Sequence, residues 1–156
     1  LDDFKKFIDK SKSKKNIPIV KFLMSQDKKD SIGSGIGNYL SVEILYRAKI
    51  SPHRILGDFT DNDILLLAKT IKKTVKLCYV SNIIGYMIRL EKFMPKHKEL
   101  IKKGKLPNYH PDIKIDDKEE FEFLVYMQKK DKLGNDVKRD EIIKGRSTYW
   151  VPKVQK

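Results

Sequence analysis

Three glycines at alternate positions, running straight into a helix, restrict this chain more than any other feature. The loop is Gly33-Ser34-Gly35-Ile36-Gly37, and it leads into Asn38 and an amphipathic stretch with apolar positions at Leu40, Ile44, Leu45 and Ala48. Glycine lets a backbone turn tightly and approach another surface with no Cβ in the way. The helix that follows leaves its first N–H groups without intrahelical partners and carries partial positive charge there. Loop and helix start therefore form a cradle for a phosphate. Asn38 adds a side-chain NH₂ donor at its mouth. Ser51-Pro52 stops the helix, which is expected to end near Lys49.

The charge balance indicates whose phosphate. Lys and Arg number 34 against 21 Asp and Glu, a formal net charge of +13. That excess favours a polyanion, in this context a nucleic acid. The 156 residues suffice for one domain with a core, or for a core and a small appendage. The longest apolar stretches fall far short of a membrane span, so no membrane partner is expected. The Lys- and Asp-rich first fifteen residues do not read as a signal peptide. A single cysteine, Cys78, excludes an intramolecular disulfide and fits a reducing, intracellular compartment. Set among Val75, Leu77 and Tyr79, it reads as a small buried hydrophobe.

The chain reads as a helical block followed by a β-hairpin. Residues 2–10 read as a helix with Phe4, Phe7 and Ile8 on one face, and the basic run 10–15 as a loop. Pro18 suits the first turn of a second helix through Ile19, Val20, Phe22, Leu23 and Met24. Thr60-Asp61-Asn62-Asp63 has the spacing of a capping box. It opens a long helix with Ile64, Leu65, Leu67, Ala68, Ile71 and Val75 expected inward. Residues 82–101 read as a further helical stretch, and 102–118 as a linker. Beyond it, Glu120–Tyr126 and Arg146–Val151 have strand composition, and Leu133-Gly134-Asn135-Asp136 has turn chemistry. Among other candidate chemistry, His53, His97 and His110 lack metal-ligand spacing and read as surface residues.

At two places the residues resemble a known family. GIGNYLSVEILYRAKISP, from Gly35, is similar to the helix–two-turn–helix motif of the Fpg/Nei DNA glycosylases, closest to their eukaryotic Nei-like branch. The C-terminal GRSTYWVPKVQK resembles the second strand of that family's zinc-finger hairpin. The likeness runs from about residue 17 to the C-terminus. The loop alone also fits ordinary helix-hairpin-helix modules and a ribosomal small-subunit protein with the two-turn motif, but neither accounts for the hairpin. The resemblance implies that Asn38 and Arg146, with the loop glycines Gly35 and Gly37, bind the phosphates flanking a damaged nucleotide. Arg supplies a rigid, always-charged fork of donors. Such contacts fix register without reading sequence, and they hold a strand whose target base has left the stack.

The departures from the family pattern also carry expectations. Zinc-bearing members place a C-x-x-C pair at each end of the hairpin. Here those positions read Leu133-Gly-Asn-Asp136 and Val151-Pro-Lys-Val154, with none of the sulfur or imidazole that structural zinc requires. The resemblance is therefore to the zincless finger of some members: no zinc or other cofactor is expected, and packing falls to Leu133, Tyr149, Trp150, Val151 and Val154. The family's nucleophile is an N-terminal proline beside a glutamate, whereas this chain begins Leu1-Asp2. No catalytic residues are expected in it, and by itself it is expected to be inactive. The fold class expected is a mainly α helix–two-turn–helix domain (residues 1–101), a linker (102–118) and a zincless β-hairpin finger (119–156). The function expected is the DNA-binding C-terminal part of a base-excision-repair glycosylase and AP lyase acting on oxidised bases. Its partners are damaged double-stranded DNA and an N-terminal catalytic domain of the same protein; the alternative is a non-catalytic module binding structured RNA or DNA.

Overall fold

The structure, a computed structural model, describes residues 16–25, 35–93, 115–116 and 118–156, with residue 80 and residues 82–93 described by their backbone alone. The helix expected over 2–10, the basic run 10–15, Gly33, Ser34, His97, His110 and most of the linker lie outside the described residues. The elements in order are α1 (Ile19–Leu23), α2 (Asn38–Arg47), a 3₁₀ turn (Leu56–Asp58), α3 (Asp61–Phe93), β1 (Lys138–Ile143) and β2 (Arg146–Trp150). The chain divides into two compact units, one comprising the residues up to Ile71 together with Phe123–Lys156, the other Lys72–Glu122.

Local rules account for the helix ends. Pro18 stands at the N-cap of α1 with φ −57° and ψ 138°. At the start of α3 the capping box closes reciprocally: Asp63 N–H donates to Thr60 Oγ1 at 3.2 Å, and Thr60 N–H to Asp63 Oδ2 at 2.9 Å. Arg54 Nη2 also donates to Asp63 Oδ2 at 2.6 Å. This Arg54 bond, working against partial burial and joined by Thr60, holds the Asp63 carboxyl down at about 2. Helix α2 ends in a Schellman arrangement. Ile50 N–H reaches Leu45 O and Lys49 N–H reaches Tyr46 O, with Lys49 in the left-handed region at φ 58°.

Burial follows the expected faces with two exceptions. Leu40, Ile44, Leu45 and Ala48 of α2 are buried, as are Ile64, Leu67, Ala68, Ile71 and Cys78 of α3. Leu65, expected inward, is 41% exposed. It sits one residue, about 100°, off the stripe formed by Ile64, Leu67, Ala68 and Ile71. Leu133, expected to pack the finger, is 78% exposed. It lies in the tight turn before Gly134, which takes φ 81°.

The hairpin is antiparallel, pairing Lys138 with Trp150, Arg139 with Tyr149 and Asp140 with Thr148, with an irregularity before Ile143 meets Arg146. The strand composition of Glu120–Tyr126 is misleading, because that segment forms no strand. Its N–H groups go elsewhere. Leu124, Val125 and Tyr126 each donate to Glu43 Oε1 of α2 at 2.9 Å. Glu43 is fully buried and its other oxygen pairs with Arg47, one helical turn on. One carboxylate thus replaces a β-ladder.

Around this clamp the hairpin packs onto α2. Val42, Val125 and Val151 form a buried cluster, covered by Tyr46, Tyr126, Val137 and Val154. Val151 and Val154, both expected to pack the hairpin, belong to this cluster. Hydrogen bonds secure the two ends. Asp131 Oδ1 accepts from the N–H groups of Leu133 and Asn135 at 2.9 and 2.8 Å. Its Oδ2 accepts from the Tyr46 hydroxyl at 3.1 Å, and burial together with that bond pushes the Tyr46 hydroxyl up to about 12. At the other end Gln155 Oε1 accepts from Val151 N–H at 2.7 Å while its Nε2 donates to Ile50 O at 2.8 Å.

Candidate nucleic-acid interface

The N-terminus of α2 and the start of β2 meet directly. Asn38, the first residue of α2, donates through Nδ2 to Ser147 O at 3.0 Å. Ser147 follows Arg146, so the loop–helix junction and the hairpin arginine, 108 positions apart in sequence, are held side by side. Asn38 Oδ1 is buried and accepts no hydrogen bond among the described residues. No side chain caps the α2 N-terminus.

The two loop glycines differ in what the backbone asks of them. Gly35 has φ 112°, a conformation that L side chains rarely adopt. Gly37 is extended, with φ −87° and ψ −173°. A Cβ at Gly37 would meet nothing within 4 Å. Neither dihedral nor crowding within the described residues calls for glycine there. The open space at its Cβ position leaves the backbone there accessible to close approach.

Gly37 and Arg146 share a cleft of about 290 Å³, lined by Lys21, Met24, Ile36, Gly37, Ile143 and Arg146. The cleft has basic side chains on two walls and an apolar lining between them. Arg146 is exposed, and none of the described residues takes its guanidinium. Of the four positions singled out in the sequence, the structure brings Asn38, Gly37 and Arg146 to one place, with Gly35 two residues before Gly37. Lys21 was not foreseen there, since no spacing in the sequence links a lysine in α1 to the hairpin. Glu43 was also missed; its one signal is an acidic residue between Val42 and Ile44 on an otherwise apolar face.

His53, read as an ordinary surface residue, is engaged. Its Nε2 lies 2.7 Å from Asp140 Oδ2, and Trp150 Nε1–H donates to the same oxygen at 2.6 Å. Burial raises the Asp140 carboxyl, but these two bonds outweigh it and hold it below the usual carboxylate range. The arrangement ties the turn after α2 to both strands. Among the described residues no group of three His, Cys, Asp or Glu side chains is placed to hold a metal ion. No described helix is long and apolar enough to cross a membrane.

With this geometry in view, comparison with known proteins is informative. The family model of the formamidopyrimidine-DNA glycosylase C-terminal domain matches residues 111–156. A crystal structure of a viral DNA glycosylase superposes with a TM-score of 0.64 at 22% identity, covering 99% of this chain and 46% of that one. The fold is that of these solved DNA glycosylases, and the family-model match is confined to the C-terminal residues. Lactococcus lactis Fpg, bound non-covalently to AP-site DNA, matches with a TM-score of 0.59 at 20% identity over 98% of this chain and 45% of that one. MutM bound to DNA containing carbocyclic 8-oxo-G gives a TM-score of 0.58 at 21% identity, covering 98% and 46%. The chain thus spans about half the length of the solved DNA glycosylases it matches. No curated protein sequence matches it.

Proposed function

We propose that this chain is the DNA-binding C-terminal part of a base-excision-repair DNA glycosylase with AP lyase activity, acting on oxidised bases. One observation carries the reading: Asn38 Nδ2 holds Ser147 O at 3.0 Å, fixing the hairpin arginine beside the glycine loop. In this reading the backbone at Gly35 and Gly37, the Asn38 amide and the Arg146 guanidinium grip phosphates on either side of one nucleotide. A free NH on Asn38 Nδ2 remains for a phosphate after the bond to Ser147. Arg146 supplies a charged fork for the other side. Phosphate contacts position a strand without reading bases, which suits a protein that must hold any sequence around an extruded nucleotide.

The DNA in the complexes of the Fpg/Nei relatives carries an oxidised guanine or an abasic site, and this supports the substrate class. Catalysis is assigned to an N-terminal catalytic domain outside these residues. The finger is assigned a metal-independent fold, because Leu133, Asp136, Val151 and Val154 offer no thiolate or imidazole. The test compares affinity for duplex containing an abasic-site analogue, the same duplex undamaged, and structured RNA. Tightest binding to the abasic duplex is expected. Equal binding to structured RNA would replace this reading with a non-catalytic nucleic-acid module.

A further inference from the structure

Among the described residues, the cleft beside α2 has two positive walls and no negative one. Arg146 stands on the hairpin side and Lys21, in the last turn of α1, on the other. Among the described residues no carboxylate or carbonyl takes either head group. Two like charges facing one cleft without a counter-ion are complemented by an anion. Between them Met24, Ile36 and Ile143 supply apolar surface. A phosphodiester with its deoxyribose has this pairing of chemistries: a charged group at one end and a largely apolar ring face beside it. At about 290 Å³ the cleft lies at the small end of ligand sites, room for one backbone unit and not for a base pair. Gly37 lines the same cleft without being required by its own dihedrals, which permits the close approach.

We propose that Lys21 is a third phosphate-binding residue, holding the same phosphodiester as Arg146 from the opposite wall of this cleft, with the sugar against Met24, Ile36 and Ile143. This rests on the DNA-binding reading above. The division of labour suits the two side chains. Arg146 fixes geometry with a planar fork, while Lys21 is a flexible point charge that follows the phosphate.

The test is a methylphosphonate scan. An abasic-analogue duplex is made with single phosphates neutralised in turn, and affinity is measured for the unaltered chain, Lys21→Met, Lys21→Arg, Arg146→Met and a control, Lys69→Met. One position is expected where neutralisation weakens the unaltered chain about tenfold but Lys21→Met and Arg146→Met each by only about threefold, because one cation still holds the phosphate in each variant. Lys21→Arg should keep most of the affinity, and Lys21→Met should make the slope of log affinity against log salt shallower by about one. Lys21 is exposed, so the thermal melt of Lys21→Met should match that of the unaltered chain. An undiminished affinity in Lys21→Met overturns the proposal, as does a loss equal at every methylphosphonate position, which is diffuse charge. If the unaltered chain does not prefer the abasic duplex, the DNA-binding reading fails, and this inference with it. If it does prefer it and only the Lys21 result is negative, this inference fails alone.

Discussion

Replacing Glu43 by Ala removes, in one step, the acceptor of three backbone N–H groups and the partner of Arg47. Leu124, Val125 and Tyr126 all donate to its Oε1 at 2.9 Å. Val125 is fully buried, so its N–H would have no water in reach. One orphaned buried donor costs about 1–3 kcal/mol, and breaking a buried ion pair about 3–5 kcal/mol. The two figures overlap because one carboxylate serves both, and the half-buried neighbours recover some hydration. The expected loss is about 3–5 kcal/mol, or a fall of roughly 6–20 °C in Tm for a chain of this size. Glu43→Gln keeps an acceptor for the three N–H groups but turns an NH₂ toward Arg47, and about 1–2 kcal/mol is expected. Urea denaturation followed by circular dichroism and by Trp150 fluorescence measures both. A loss below about 1 kcal/mol for Glu43→Ala would refute the reasoning, since the N–H groups must then have other acceptors.

The Asp63 carboxyl titrates at about 2, below its ordinary value of 3.8. Its contribution to stability is therefore complete above about pH 4 and lost as pH falls through about 2. Asp63→Asn should cost about 0.5–2 kcal/mol at neutral pH and flatten this part of the stability–pH curve; an unchanged curve would contradict the capping box. If the hairpin folds without metal, chelator should leave the melting curve unaltered, and Val151→Ala, which opens space in the buried cluster with Val42 and Val125, should cost about 1.5–3 kcal/mol. Stoichiometric zinc whose removal unfolds the hairpin would reverse that conclusion. With about four to six phosphates neutralised, log affinity for duplex should fall against log salt with a slope of roughly −4 to −5, whereas a slope near zero points away from nucleic acid.

What could be read in the sequence is what local rules decide. Thr60 and Asp63 close the capping box that their spacing announces, and the apolar positions of α2 are buried as its period requires. Strand identity was harder. Glu120–Tyr126 has the aromatic and branched composition of a strand, yet a remote carboxylate at Glu43 takes its N–H groups, and β1 is instead the charged Lys138–Ile143. Composition reports what a segment tolerates, not which partner wins its hydrogen bonds. Leu65 was misplaced because it adjoins a helical stripe without lying on it. At the candidate site, Asn38 and Arg146 came from motifs, but their adjacency through Ser147 is a long-range contact. Lys21 enters the cleft through tertiary packing, which no sequence spacing encodes.

The central claim is that Arg146 and the α2 N-terminus hold one DNA strand around a damaged nucleotide. Affinity for an abasic-analogue duplex, measured side by side for the unaltered chain, Asn38→Ala, Arg146→Ala and Lys69→Ala, tests it most directly. Losses of about 1–3 kcal/mol are expected for Asn38→Ala and Arg146→Ala, the scale of charge-assisted hydrogen bonds, and they should be similar across DNA sequences. Lys69, exposed on α3, should change affinity by less than about 0.5 kcal/mol. A loss for Lys69→Ala as large as for the other two would contradict the account, because binding would then come from diffuse basic charge and not from a grip.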